Sequence, residues 1–269
     1  MRQNKYIGYH LEDYGTLYAK YYRENISPVS EQVKQAVQFS PYPSELFLPF
    51  TRVRQMLDEG YAQCETGYSI QPDGSAHISV LTSMSGVTPP MWDWWFAWHS
   101  SHDNRYKLWH PKAHRSARWE DGDNEQMSYI GRTSLIEEYI GTKMEKAAIQ
   151  FVSPCDIGFY PEDIADKEKN CFICARIGYS QFPLDFGYLV HQVRATKEGS
   201  EMRSRFWIGG KHIQLRFRGV LPQLASSLMQ KIKRVPPRQA QDLLLHCSEE
   251  MNHLAAILPE LYNEFCTNK

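Results

Sequence analysis

The sequence has no apolar run long enough to cross a membrane, because charges interrupt every hydrophobic stretch well before the ~20 residues a spanning helix requires. Its N-terminus, MRQNKYIGYHLEDYGTLYAKYY, also lacks the apolar core of a secretory signal. A cytoplasmic protein with no membrane partner is therefore expected. Net charge is scarce too: 30 Lys+Arg against 31 Asp+Glu leave −1, which supplies no field for holding nucleic acid. Six cysteines in 269 residues are too few for a disulfide scaffold and are expected to be reduced. Cys171 and Cys174 form a lone Cys-x-x-Cys in a strand-like run, without the second pair a structural zinc needs. No GxGxxG, P-loop, G-x-S-x-G or HExxH pattern occurs, so nucleotide and serine-hydrolase chemistry lose their usual warrants.

What the chain does have is 42% hydrophobic and 13% aromatic residues, enough for a compact fold with a large core and an enclosed pocket. Residues 1–72 read as a small, mainly helical portion with a Pro/Ser break at Phe39 to Ser44 and a helix between Leu46 and Gly60. Residues 73–269 read as the main domain. HISVLTSM is a strand, and Pro89-Pro90 then opens the helical segment MWDWWFAWHSS. The runs SLIEEYIG, KAAIQFVSP, NCFICARIGYS, GYLVHQVRAT, SRFWIGG and HIQLRFRG carry the alternation of an antiparallel sheet. After Pro236-Pro237, apolar residues at 243, 247, 251, 254, 258, 261 and 265 trace one stripe of a long helix, with a kink or break expected at Pro259. The implied class is α+β, with a curved sheet gripping the C-terminal helix over a cavity.

Three clusters stand out chemically. On the long helix Glu250 falls only about 20° from Leu243 around the axis, inside the apolar stripe, with His246 one turn earlier. A carboxylate facing a core is costly unless something positive meets it. The pair is either a solvated i,i+4 contact or two metal ligands on one face. His110 and His114 flank Pro111 and point the same way if that proline opens a helical turn. In SLIEEYIG, alternation puts Glu138 on the face of Ile136 and Ile140, and Glu137 on the opposite face, leaving either carboxylate open to face the cavity. The tryptophans Trp92, Trp94, Trp95 and Trp98 cover more than one helical face, part core and part wall for a flat ring.

Taken in order, W-W-F-A-W-H with R-Y-K-L-W-H-P-x-x-H, then Y-I-G-R-T-S-x-x-x-E-Y-I-G, and finally H-x3-E on the last helix resemble the 2,4-diacetylphloroglucinol hydrolase family, which includes phloretin hydrolase. The resemblance covers roughly residues 76 to 260. It implies a Bet v 1-like (START-like helix-grip) catalytic domain, a homodimer and Zn²⁺-dependent hydrolysis of the carbon–carbon bond between an acyl group and a polyhydroxyphenol ring. It further implies His114, Glu138, His246 and Glu250 as the zinc ligands, with His110 standing behind a ligand or facing substrate.

Tyr106 resembles a substrate-contacting tyrosine of that family. His191 shares a strand face with Leu189 and Val193, pointing into the grip as an acid or base or as a satisfied core histidine. Tyr188 and Arg205 fit less well. The rival expectations are a non-hydrolytic helix-grip binder of phenolic ligands, a polyketide cyclase, and a zinc enzyme acting on another bond of a similar small acylated phenol.

Overall fold

The computed structural model describes residues 7–123, 128–217, 220–232 and 234–266. Among them, nine strands form one antiparallel sheet. After a short helix α1 (Glu31–Phe39) come β1 (Gly67–Ile70) and β2 (Ala76–Ser85), then helices α2 (Pro89–Trp98) and α3 (Asp103–Trp109). The remaining strands are β3 (His114–Trp119), β4 (Thr133–Ile140), β5 (Lys143–Val152), β6 (Asn170–Tyr179), β7 (Leu184–Thr196), β8 (Gly199–Ile208) and β9 (Gln214–Leu215). Helices α4 (Val220–Ile232), α5 (Pro237–Ala255) and α6 (Leu258–Phe265) close the chain. Strand order is β1-β2-β8-β7-β6-β5-β4-β3, with β9 added beside β7.

Helix α5 packs against β1 and β2 and also against β4. In a flat sheet five strand spacings, roughly 24 Å, would separate β2 from β4, more than twice the width of a helix. The sheet must therefore curve around α5, which is the helix-grip arrangement expected from the sequence. Leu244, Cys247, Met251 and Leu254 of α5 are fully buried against the concave face. A second, smaller core lies on the convex face, where Val53, Met56, Phe159 and Trp207 pack together. β1 precedes residue 73, and Tyr18, Tyr21 and Ala36 share the main core, so residues before 73 contribute directly to the packed body.

Proline chemistry accounts for most departures from the sequence reading. The stripe expected as one helix is broken: α5 ends at Ala255, and Pro259 sits in the first turn of α6, where its missing N–H costs nothing. Between Leu46 and Gly60 the helical segment is a 3₁₀ stretch, Phe50–Leu57, that begins after Pro49 and is interrupted at Arg52. His110 (φ −145°, ψ 88°) is held out of the helical region by Pro111, so α3 stops at Trp109, and Pro111 opens a single turn in which the His114 N–H donates to the His110 carbonyl at 2.9 Å. His114 then opens β3. HIQLRFRG yields only the two-residue β9, and its Arg218 and Gly219 lie outside the described residues.

The Gly of the E-Y-I-G run has a local cause. Gly141 (φ 60°) turns β4 into β5, and a Cβ there would come 2.5 Å from Asp242 Oδ2 on α5. This hairpin seats β4 against the helix.

Candidate metal centre

Two sheet residues and two helix residues converge at the grip. His114 and Glu138 are directly paired across β3 and β4, with a bulge between His114 and Ser116. His246 and Glu250 face them from adjacent turns of α5. His114 Nε2 lies 3.4 Å from Glu138 Oε2 and 3.3 Å from Glu250 Oε2, while His246 Nε2 lies 3.6 and 3.7 Å from the same two oxygens. The ligand atoms of His114, Glu138 and His246 all fall within 4.8 Å of one another.

These spacings are long for hydrogen bonds, and neither Nε2 atom has a hydrogen-bond partner although both are buried. They suit ligands that share an ion, since a tetrahedral centre with bonds of about 2.0–2.1 Å has edges of about 3.3–3.4 Å. The donor chemistry agrees. His114 Nδ1 donates to the Tyr106 carbonyl at 3.0 Å, so its Nε2 carries a lone pair aimed at two carboxylates. A cluster of acceptors buried together requires a cation at its centre. The residues present therefore fit a metal ion, and two carboxylates with two neutral imidazoles offset its double charge.

Without an ion, a proton is the available substitute. Burial opposes charge on His246, but Glu138, and then Glu250 and Glu249, overcome it and raise the imidazolium pKa to about 9. Burial pushes Glu250 up to about 8, with His246 pulling the other way. Burial also drives His114 well below the usual imidazole value, helped by the neighbouring His246 and His110.

Glu137 points to the opposite face, in ion pairs with Lys146 at 2.8 Å and Arg115 at 3.2 Å. Glu138 is thus the carboxylate turned inward. Tyr106, fully buried on α3, donates its hydroxyl to Glu138 Oε2 and stacks on His114 with centroids 3.9 Å apart. His110 is brought close but not into the cavity wall: its ring stacks on His246 at 5.0 Å and its Nε2 meets Glu249 at 3.3 Å. His191 lines the cavity, with Nδ1 2.8 Å from Ser204 Oγ and its ring stacked on Phe96. Burial alone drops its pKa to about 3.

The cavity under α5 has a volume of about 1100 Å³ including its mouth. Its walls are mainly apolar, and Tyr106, Glu138, His246 and Glu250 interrupt them along one side. A model of the DAPG hydrolase PhiG domain matches residues 47–263, most of the chain and all four converging residues. The chain belongs to the DAPG hydrolase family. Phloretin hydrolase of Eubacterium ramulus is 33% identical to it over 96% of this chain and 93% of its own length. A 2,4-diacetylphloroglucinol hydrolase of Pseudomonas protegens is 27% identical over 93% and 85%. Among solved structures, Ara h 8.0201 matches with a TM-score of 0.42 and 12% identity over 70% of this chain and 99% of that one.

In this DAPG hydrolase family member the tryptophan-rich helix α2 supplies Phe96 to the cavity, whereas Trp92, Trp95 and Trp98 are packed in the core. Tyr188 and Arg205 lie away from the cavity: Tyr188 stacks on Phe50, and Arg205 pairs with Glu65. Sequence reasoning missed several polar wall residues, among them His99, Ser134, Glu145 and Gln239. The signal for Ser134 was available, because it is four residues before Glu138 and period-two alternation puts both on one face of β4.

Proposed function

We propose that this chain is a zinc-dependent hydrolase that cleaves the carbon–carbon bond between an acyl group and a polyhydroxyphenol ring, releasing a carboxylic acid. The observation that carries the proposal is the convergence of His114, Glu138, His246 and Glu250, each imidazole Nε2 lying 3.3–3.7 Å from both carboxylates, beside a large apolar cavity that Glu138, His246 and Glu250 line. The names of its relatives, hydrolases of phloretin and of 2,4-diacetylphloroglucinol, support the bond and the substrate class. The same reading takes residues 1–72 as a portion that lends β1 to the catalytic part 73–269. It takes the enzyme as a cytoplasmic homodimer acting on a small acylated phenol, without nucleic-acid or membrane partners.

In this reaction the acyl carbon gains hydroxyl from water and the ring carbon gains a proton, while the bonding pair returns to the ring and restores a phenolate. Zinc supplies a Lewis acid for a substrate oxygen. The chain's own residues do the rest. The apolar walls strip water from the ring, which strengthens every polar contact made to it. Burial and Glu138 keep the Tyr106 hydroxyl protonated well above the usual phenol range, so it is a donor for a phenolate oxygen at any working pH. His191, neutral and anchored through Nδ1 by Ser204, offers Nε2 for holding or moving a proton. His110 backs His246 and positions it.

The test is a panel of acylated polyhydroxyphenols incubated with the zinc-loaded enzyme, with the carboxylic acid and the free phenol both quantified. Equimolar acid and phenol are expected. Ester cleavage with the ring–acyl bond intact, or binding without turnover, overturns the assignment.

A further inference from the structure

A chain of hydrogen bonds behind the cavity fixes the polarity of one atom in its wall. His99 Nδ1 lies 3.0 Å from the Trp95 carbonyl, and because a carbonyl only accepts, that nitrogen carries the proton. Burial keeps the ring neutral, with its pKa lowered to about 4. His99 Nε2 is therefore an acceptor. The Ser100 hydroxyl, 3.0 Å away, must donate to it. Ser100 Oγ also lies 2.8 Å from Ser134 Oγ, and with its own proton committed it can only accept there. The Ser134 proton is thus used up inside the wall, and only lone pairs face the cavity.

All three side chains are buried, yet His99 and Ser134 both line the cavity. Ile149 is the cross-strand partner of Ser134, and the cavity lining is mainly apolar, with Phe96, Phe151 and Ile136 among its side chains. The Ser134 hydroxyl is bonded through its proton, so what it presents to the cavity is acceptor capacity, its direction set by two further residues, which a ligand hydroxyl can use. Ser134 and Glu138 are roughly 13 Å apart along β4, so the two groups address opposite sides of an enclosed molecule.

We propose that Ser134 is a specificity-determining residue that accepts a hydrogen bond from a free ring hydroxyl on the side of the phenol away from the acyl carbonyl, with Ser100 and His99 as positioning residues that hold it as an acceptor. This rests on the functional reading above and adds to it the substituent the ring must carry. A methyl ether at that position sets lone pair against lone pair and forces a methyl group into the wall, so hydroxylated rings are selected and etherified rings refused.

The test uses the zinc-loaded enzyme, an acylated trihydroxyphenol and its monomethyl ethers, with affinity measured by calorimetry and kcat and KM measured separately. Wild type should prefer the free hydroxyl at one ring position by roughly 10- to 100-fold, mainly in KM, the scale of one unsatisfied buried acceptor. Ser134→Ala should lose most of that preference while keeping kcat on the trihydroxy substrate, and Ser134→Thr, which retains the hydroxyl, should restore it. In His99→Phe the Ser100 proton is free to turn toward Ser134, whose own proton can then enter the cavity. The preference should shrink or reverse toward the ether. A wild-type preference that survives intact in Ser134→Ala overturns this inference and leaves the hydrolase reading standing. A wild type that neither binds nor cleaves any of the phenols overturns both.

Discussion

Replacing Tyr106 by phenylalanine removes one oxygen from a residue that is 2% exposed and leaves the ring's stacking on His114 available. In the free enzyme that hydroxyl donates to Glu138 Oε2, and in the proposed reaction it donates to the phenolate oxygen of substrate. Hydrogen bonds to charged groups contribute about 1.5–3 kcal/mol. Spent on charge that develops only as the ring leaves, this corresponds to about 10²-fold in kcat, with a smaller change in KM. A hydroxyl that merely positions the ring is worth about tenfold. The assay follows loss of substrate absorbance and appearance of the carboxylic acid, with zinc content measured in the same samples. Turnover within twofold of wild type at full zinc occupancy refutes the role given to Tyr106.

His191→Ala with zinc retained should lower kcat by about 10²-fold or more, on the scale of a lost general acid or base; near-normal turnover rejects that role. Glu138→Gln should lose zinc whereas Glu137→Gln should keep it, because Glu137 is engaged with Lys146 and Arg115 on the other face; the reverse pattern overturns the choice of carboxylate. Acid should destabilise the fold through its neutral buried imidazoles. The pKa of His191 is held at about 3 and that of His99 at about 4, both below the unfolded value of about 6.5. The unfolded chain therefore binds more protons as pH falls below 6.5, and stability drops until each folded pKa is reached. By pH 5 the loss is on the order of 2 kcal/mol per histidine. Thermal melts of the metal-free protein from pH 7 to 4 should show it, His191→Phe should flatten the curve, and an unchanged slope refutes the assignment.

Most of the sheet was legible because its strands carry β-branched, aromatic or alternating residues, and Glu138 follows Ile136 on the inward face as period two requires; β1 and β3 were not among the expected strands. The helix was legible from its apolar stripe, and Glu250 stood out because it interrupts that stripe. The turn from His110 to His114 was legible too, since Pro111 opens it and brings the two rings to 5.5 Å, but the spacing does not say that His114 rather than His110 joins Glu138 and His246. The partners of Glu250 come from strands more than a hundred residues earlier, and no local pattern encodes that meeting. The hydrogen-bond chain of His99, Ser100 and Ser134 was silent for the same reason, although alternation on β4 puts Ser134 on the face of Glu138: the chain joins α2's end to β4 only in three dimensions. Resemblance of ordered motifs supplied the grouping of His114, Glu138, His246 and Glu250, which periodicity alone left as separate candidates.

Elemental analysis of the purified protein and of two variants addresses the central claim most directly. The account predicts one zinc ion per set of four ligands in wild type and a sharp loss in both His246→Ala and Glu250→Ala, because each removes one corner of the tetrahedron. Zinc retained at the wild-type level in both variants, or a wild type that binds none when zinc is supplied, would contradict it.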